Sequence, residues 1–178
     1  RDSMLHLITG GSGSGKSRYA EEQILKLGPG RRIYVATMYP YDEESLRRID
    51  RHRAMRAEKN FETVECYESL SSREFPEGAN ILLECMSNLV ANEMFRPEGA
   101  GIHTVEAVLK GIWHLREQAE NLVIVTNEIF SDGTEYGNST RLYQEYLGTI
   151  NQEVALWADR VTEVVYGIPI SLKGGKRA

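Results

Sequence analysis

Gly10-Gly11-Ser12-Gly13-Ser14-Gly15-Lys16-Ser17 lies between an apolar run, Leu5-His6-Leu7-Ile8-Thr9, and a stretch with helical periodicity. The octapeptide fits G-x-x-x-x-G-K-[ST], and the apolar run before it and the helix after it supply the strand–loop–helix setting that this phosphate-binding pattern requires. Glycines let the backbone fold tightly enough for several N–H groups to face phosphate oxygens. The helix that follows adds its positive N-terminal end. Lys16 is then placed for the β- and γ-phosphates, and the Ser17 hydroxyl for Mg²⁺. A flexible Gly/Ser linker would need neither the strand before the loop nor the Lys-Ser pair closing it. The expectation is a nucleoside-triphosphate-binding α/β protein of the P-loop NTPase class.

Outward from the loop, the pattern alternates strand with helix. Lys16 to Leu27 reads as a helix with Tyr19, Ala20, Gln23, Ile24 and Leu27 on one face, closed by Gly28-Pro29-Gly30. Arg32–Thr37 reads as a second strand, and Asp42 to Arg56 as a long charged helix whose thin apolar stripe is Leu46, Ile49 and Met55. Phe61–Cys66, Ala79–Cys85, Leu122–Thr126 and Val161–Tyr166 read as further strands, with Gly167–Leu172 as a terminal edge strand. Helices are expected over Ser87–Phe95, Thr104–Ala119 and Ser139–Arg160, with an irregular loop over Ile129–Asn138. Such alternation predicts a mostly parallel sheet with helices on both faces, its ligand beyond the carboxyl ends of the strands. That rule gathers Gly10–Ser17, Ala36-Thr37, Glu84 and Asn127-Glu128 at one edge.

Composition narrows the class. A chain of 178 residues with 41% hydrophobic and 26% charged residues suits one globular domain, residues 4–178. Arg1-Asp2-Ser3 read as residues left by cloning, with Met4 as the natural start. A net charge of −5 gives no global basic field for nucleic acid. No apolar run reaches membrane-spanning length and no signal-peptide pattern opens the chain, so a cytoplasmic location is expected. Cys66 and Cys85 make no metal or redox motif and read as two buried thiols.

Arg48, His52 and Arg56 recur at i, i+4, i+8 and so share one face of the charged helix. A histidine that attacks phosphorus must be neutral, and flanking arginines disfavour the imidazolium while binding phosphate oxygens. Spacing alone leaves this open against a histidine on a solvated helix. His6 in a core strand, His103 in a loop and His114 beside Trp113 read as structural or surface residues. Glu84 ends an apolar strand, where nucleotide-hydrolysing folds place a carboxylate for Mg²⁺. Asn127-Glu128 follows the same logic, and Glu65 reads as a surface residue.

Four segments together resemble a known family: Leu7–Glu22, Tyr34–Thr37 with Asp42–Arg56, Leu82–Phe95, and Val125–Glu128 with Leu147–Gly174. The most specific parts are Arg48-Ile49-Asp50-Arg51-His52-Arg53-Ala54-Met55-Arg56 and the close from Asn151-Gln152 through Ala158-Asp159. They resemble the bifunctional adenosylcobinamide kinase / adenosylcobinamide-phosphate guanylyltransferase family of cobalamin biosynthesis. The resemblance implies a RecA-like sheet, a homotrimer and two reactions. One moves the γ-phosphoryl of ATP or GTP to the aminopropanol hydroxyl of adenosylcobinamide. The other joins GMP from GTP to that new phosphate through a GMP–histidine phosphoramidate. By the same match the histidine is His52, and Gly10, Gly11, Ser12, Gly13, Ser14, Gly15, Lys16 and Ser17 form the phosphate loop. Ala36, Thr37, Met38, Arg53, Ala54, Met55, Arg56, Glu65 and Glu84 would contact the guanine nucleotide. The chain departs from many members at Gly13, where they carry Arg, and at Ile129-Phe130-Ser131-Asp132-Gly133, where they carry a Val-Gly and a Pro-containing loop. Readings open without the resemblance are a single-activity small-molecule kinase and a non-catalytic nucleotide switch.

Overall fold

The structure is a computed structural model and describes residues 3–127 and 138–175. Seven strands form one sheet in the order β3-β2-β4-β5-β1-β6-β7. They are β1 (Leu5–Gly10), β2 (Arg32–Ala36), β3 (Phe61–Glu65), β4 (Asn80–Glu84), β5 (Asn121–Asn127), β6 (Arg160–Val165) and β7 (Ile168–Lys173). All pairs are parallel except β6–β7, a hairpin that leaves β7 at the edge. The helices are α1 (Lys16–Lys26), α2 (Glu43–Glu58), α3 (Met86–Phe95), α4 (Thr104–Gln118) and α5 (Asn138–Trp157). This is the α/β fold of P-loop NTPases, as the phosphate loop predicts. The expected residues Arg1, Asp2, Glu128 and the Ile129–Gly133 loop lie outside the described residues.

Side chains alternate across a strand, so each strand feeds two cores. Leu5, Leu7, Ile33, Val35, Ile81, Leu83, Leu122 and Ile124 pack with Leu89, Val108, Ile112, Leu115, Ile150 and Val154 of α3, α4 and α5. On the other face Ile8, Tyr34, Ala36, Leu82, Val123 and Val125 meet Ala20 and Ile24 of α1. Three helices cover one face. The second has α1, with α2 beside it over the β3 edge.

Two expected helices differ in ways that have physical causes. The last helix stops at Trp157 rather than running to Arg160. Its final turn closes with Ala158 N–H donating to Val154 O at 2.9 Å, and Asp159 then joins β1. The Asp159 carboxylate accepts the Leu5 N–H at 2.8 Å, and the Asp159 N–H donates to Leu5 O at 2.9 Å. The family-like Ala158-Asp159 close therefore registers the start of the sheet. In α2, Asp42 is the cap rather than the first helical residue, accepting Ser45 N–H at 2.6 Å. Of the expected stripe only Ile49 is buried, while Leu46 and Met55 stay 47% and 59% exposed. Arg56 goes in instead, because an aromatic face is waiting for its guanidinium. Both cysteines are free and buried, as expected.

His6 is structural. It is buried in β1 with Nε2 2.8 Å from Thr162 Oγ1. Burial, then the nearby Arg160 charge, lowers its imidazole from 6.5 to about 4. Between those two values the unfolded chain takes up a proton that the folded chain refuses, so stability falls as pH drops through that window. The loss from this residue is about 3 kcal/mol once pH reaches 4. Urea unfolding at pH 7 and pH 4 checks this: the pH-dependent loss should shrink in His6→Gln, and an identical loss in both proteins would refute it.

Candidate active site

The loop after β1 is shaped by close approaches. A Cβ on Gly10 would sit 2.5 Å from Ser14 Oγ and 2.7 Å from the Val164 carbonyl. Gly13 and Gly15 have φ of +72° and +93°, in the left-handed region that favours glycine. The β6–β7 turn supports the loop from outside: Gly167 N–H donates to Ser14 O at 2.7 Å. Lys16 Nζ folds back to Gly11 O at 2.9 Å. Ser12, Gly13 and Ser17 face solvent.

The two helices on this face begin very differently. Gly15 caps α1 without a side chain, and no acidic residue occupies its first turn. Its free N–H groups and positive end are thus left for an external anion. In α2 the Asp42 carboxylate takes the cap position, and Glu43 and Glu44 fill the first turn. That end is already neutralised, so α1 offers an anion the more favourable of the two ends.

The carboxyl ends of β2, β3 and β4 complete the site. Ala36 is in register with both Glu65 and Glu84. Strand alternation turns all three to the α1/α2 face. Glu84 is level with Val125, itself level with Ile8, so it lies just below the loop. With β5 between β4 and β1, the lateral separation is about 10 Å. Tyr34 donates its hydroxyl to Glu84 Oε2, while Glu84 Oε1 is buried with no partner among the described residues. The Arg56 guanidinium sits over the Tyr34 ring at 3.6 Å and is buried. Burial, then the adjacent Glu84, holds the Tyr34 phenol well above its usual range, so it remains a donor.

Glu65 is half-buried rather than a free surface acid. Arg53 pairs with its Oε1, Tyr67 donates to its Oε2 at 3.0 Å, and Arg73 bonds its carbonyl at 2.8 Å. Arg53, Ala57, Phe61, Thr63 and Glu65 line an open cavity of about 420 Å³. Thr37 is fully buried, and its hydroxyl donates to Cys85 O and accepts Cys85 N–H, both at 2.8 Å. Asn92 Nδ2 donates to Thr37 O at 2.7 Å, so this residue ties the exit of β2 to the β4–α3 turn.

His52 is exposed on α2, as are Arg48, Ala54 and Met55. The i, i+4, i+8 face therefore splits: Arg56 goes inside and the other two stay in solvent. Because α2 runs from the carboxyl end of β2 to the amino end of β3, His52 lies about 6 Å from Arg56 toward the ligand edge. β2 and β1 are three strand spacings apart, about 14 Å. The loop and α2 thus flank one cleft, whose far end is tied by Lys59 to Glu21 at 2.8 Å. His103 is exposed, and His114 Nε2 bonds Arg73 O at 2.8 Å, both outside this cleft. Asn127 ends β5 level with Gly10. Tyr34 and Tyr67 escape a sequence reading aimed at acids and histidines. The available signal is that a tyrosine in a buried strand needs a partner for its hydroxyl.

A family model described as cobinamide kinase / cobinamide phosphate guanyltransferase (CobU) matches residues 6–172. The bifunctional adenosylcobalamin biosynthesis protein CobU of Salmonella typhimurium is 31% identical, over 96% of this chain and all 100% of its own. The protein of the same description named CobP from Pseudomonas aeruginosa is 32% identical, over 96% of this chain and 98% of its own. Among solved structures, flagellar accessory protein FlaH of Methanocaldococcus jannaschii aligns with a TM-score of 0.52 at 13% identity, covering 98% of this chain and 82% of its own. The ATPase domain of G40P aligns at 0.50 and 10% identity, covering 90% and 68%. The last two likenesses concern the fold alone.

The crowding at Gly10 makes a specific prediction. Gly10→Ala pushes on a backbone carbonyl and should weaken nucleotide binding at least about tenfold. Gly13→Ala meets nothing within 4 Å and carries only the cost of its positive φ, about 1–2 kcal/mol. Calorimetric titration with GTP compares them, and equal losses would contradict the reading.

Proposed function

The chain belongs to the cobinamide kinase / cobinamide phosphate guanyltransferase family and is a bifunctional enzyme of cobalamin biosynthesis, and we propose that both of its reactions use the cleft between α1 and α2. The observation that carries this is an α1 end left open for an anion on the same sheet face as α2, whose exposed side chains include Arg48 and His52.

In the kinase reaction the γ-phosphoryl of ATP or GTP goes to the hydroxyl of adenosylcobinamide. Lys16, released from Gly11 O, and the Gly10–Ser17 amides stabilise charge on the transferring group. The Ser17 hydroxyl and Glu84 would hold Mg²⁺. The fit is sound, since Glu84 offers a buried unpaired oxygen and Mg²⁺ usually takes one or two protein ligands together with substrate phosphates. When bound, the ion would neutralise phosphate charge.

In the guanylyl reaction a ring nitrogen of His52 attacks the α-phosphorus. The N–P bond forms as the α–β phosphoanhydride bond breaks, and pyrophosphate leaves with the electron pair. An oxygen of the corrinoid phosphate then attacks the same phosphorus, releasing His52 and giving adenosylcobinamide-GDP. The covalent intermediate divides one displacement into two. Arg48 is the arginine free to approach the α-phosphate, since Arg56 is engaged with Tyr34. Ala36, Met38, Arg53, Ala54, Met55, Arg56, Glu65 and Glu84 line or edge the nucleotide path, and Thr37 sets the turn beneath it. Only Ile49 and Arg56 of α2 are buried, so the helix is lightly held and can shift when GTP binds.

No helix among the described residues is long and apolar enough to cross a membrane, and a cytoplasmic enzyme is the reading adopted. A homotrimer is proposed because β7 is exposed along its whole length, with Ile168 and Leu172 62% and 59% exposed on an unpaired edge. Light scattering should give three times 20.1 kDa, and a monomer at micromolar concentration would exclude it.

Incubation with GTP labelled at the α-phosphate tests the chemistry. Acid-labile, base-stable label should appear on the protein and vanish in His52→Ala. Label retained in His52→Ala sinks the assignment. Lys16→Ala should lose the kinase reaction by at least about a hundredfold, and full activity there would contradict the loop's role.

A further inference from the structure

Glu65 and Glu84 are matched in register but not in their surroundings. Both oxygens of Glu65 are occupied, Oε1 by Arg53 and Oε2 by the Tyr67 hydroxyl. Glu84 has only Oε2 occupied, by the Tyr34 hydroxyl, and its Oε1 is buried and unpartnered among the described residues. A buried carboxylate oxygen without a donor is costly unless a ligand supplies one.

The phenol that makes this arrangement is firmly held. Tyr34 is 6% exposed in a strand otherwise rich in apolar residues. Phe61 meets its ring edge-on, with centroids 6.4 Å apart and planes at 87°. Arg56 covers the ring at 3.6 Å, although α2 is otherwise almost wholly solvent-facing. A phenylalanine would satisfy the packing and the cation equally well. Only the contact with Glu84 requires the hydroxyl.

We propose that Tyr34 is a positioning residue for Glu84: its hydroxyl occupies Oε2 so that Oε1 alone meets the nucleotide and its metal ion, and Arg56, clamped on the ring, ties the α2 helix to that carboxylate. This rests on the reading that Glu84 belongs to the nucleotide site. The pair fixes both the rotamer of Glu84 and the number of contacts it can offer. It also links the helix bearing His52 to the occupancy of Glu84, since the same ring touches both.

The test is a double-mutant cycle read by calorimetric titration of GTP with Mg²⁺, with steady-state kinetics and thermal melting alongside. Tyr34→Phe keeps the ring and the Arg56 stack. Its GTP dissociation constant and KM should rise about tenfold while kcat changes little. The melting midpoint should stay within about 2 °C of the parent. Tyr34→Phe should have no further effect in a Glu84→Gln background, because the hydroxyl then has no carboxylate to orient. Unchanged affinity in Tyr34→Phe, with Glu84→Gln impaired, overturns the positioning role and leaves the nucleotide site intact. Additive losses in the double variant also overturn it, as the mark of a general packing role. Unchanged GTP binding in Glu84→Gln removes Glu84 from the nucleotide site and overturns both readings.

Discussion

A parallel sheet buried on both faces must be covered on both, and here the covering is unequal. Three helices seal one face, while α1 and the lightly seated α2 serve the other. The space left between those two is the cleft. Strand alternation decides what lines it, because Tyr34, Ala36, Thr63, Glu65 and Glu84 all fall on the thinly covered side. A register slip of one residue in β2 or β4 would send Tyr34 and Glu84 into the sealed core, where neither charge nor hydroxyl could be served. The polar site therefore depends on the same register that packs the Ile33, Val35, Ile81 and Leu83 side of the sheet.

Charge placement at the helix starts then assigns the cleft its polarity. Both α1 and α2 begin near the carboxyl edge, and both have the positive end that a helix provides. Acidic residues at the start of α2 cancel that end, and their absence from α1 leaves it available. Placing the charges this way leaves the start of α1 the more favourable of the two for an anion. The arginines of α2 lie beyond its first turn.

Much of this was legible in the sequence because it is local. A strand, a Gly-rich loop and Lys-Ser specify their own geometry, and the apolar runs at Ile81–Leu83 and Leu122–Val125 specify buried parallel strands. The carboxyl-edge rule put Glu84 at the same edge of the sheet as the loop, and there it lies, two strands away. What the sequence could not supply were contacts across elements. Nothing local to Arg56 says that it turns inward while Met55 stays out; that choice is made by the Tyr34 ring on another strand. Glu65 reads as a surface acid until Arg53 and Tyr67 are brought against it. Asp159 carries a family-like signature, yet its use is to hold the Leu5 N–H.

A buried arginine on an exposed helix is a poor way to gain stability. Its desolvation is costly, and a leucine or methionine over the Tyr34 ring would avoid that cost. A cation over an aromatic face recovers part of it, most when water is excluded, but the Arg56 Nε still lacks a partner among the described residues. The arrangement makes sense if the cation has work beyond packing. It sits on the phenol that binds a carboxylate, so its field bears on that phenol. It is also the most deeply buried charged side chain of α2, so any shift of that helix must break or carry the stack. The stack is thus the point at which the position of α2 and the surroundings of Glu84 are joined.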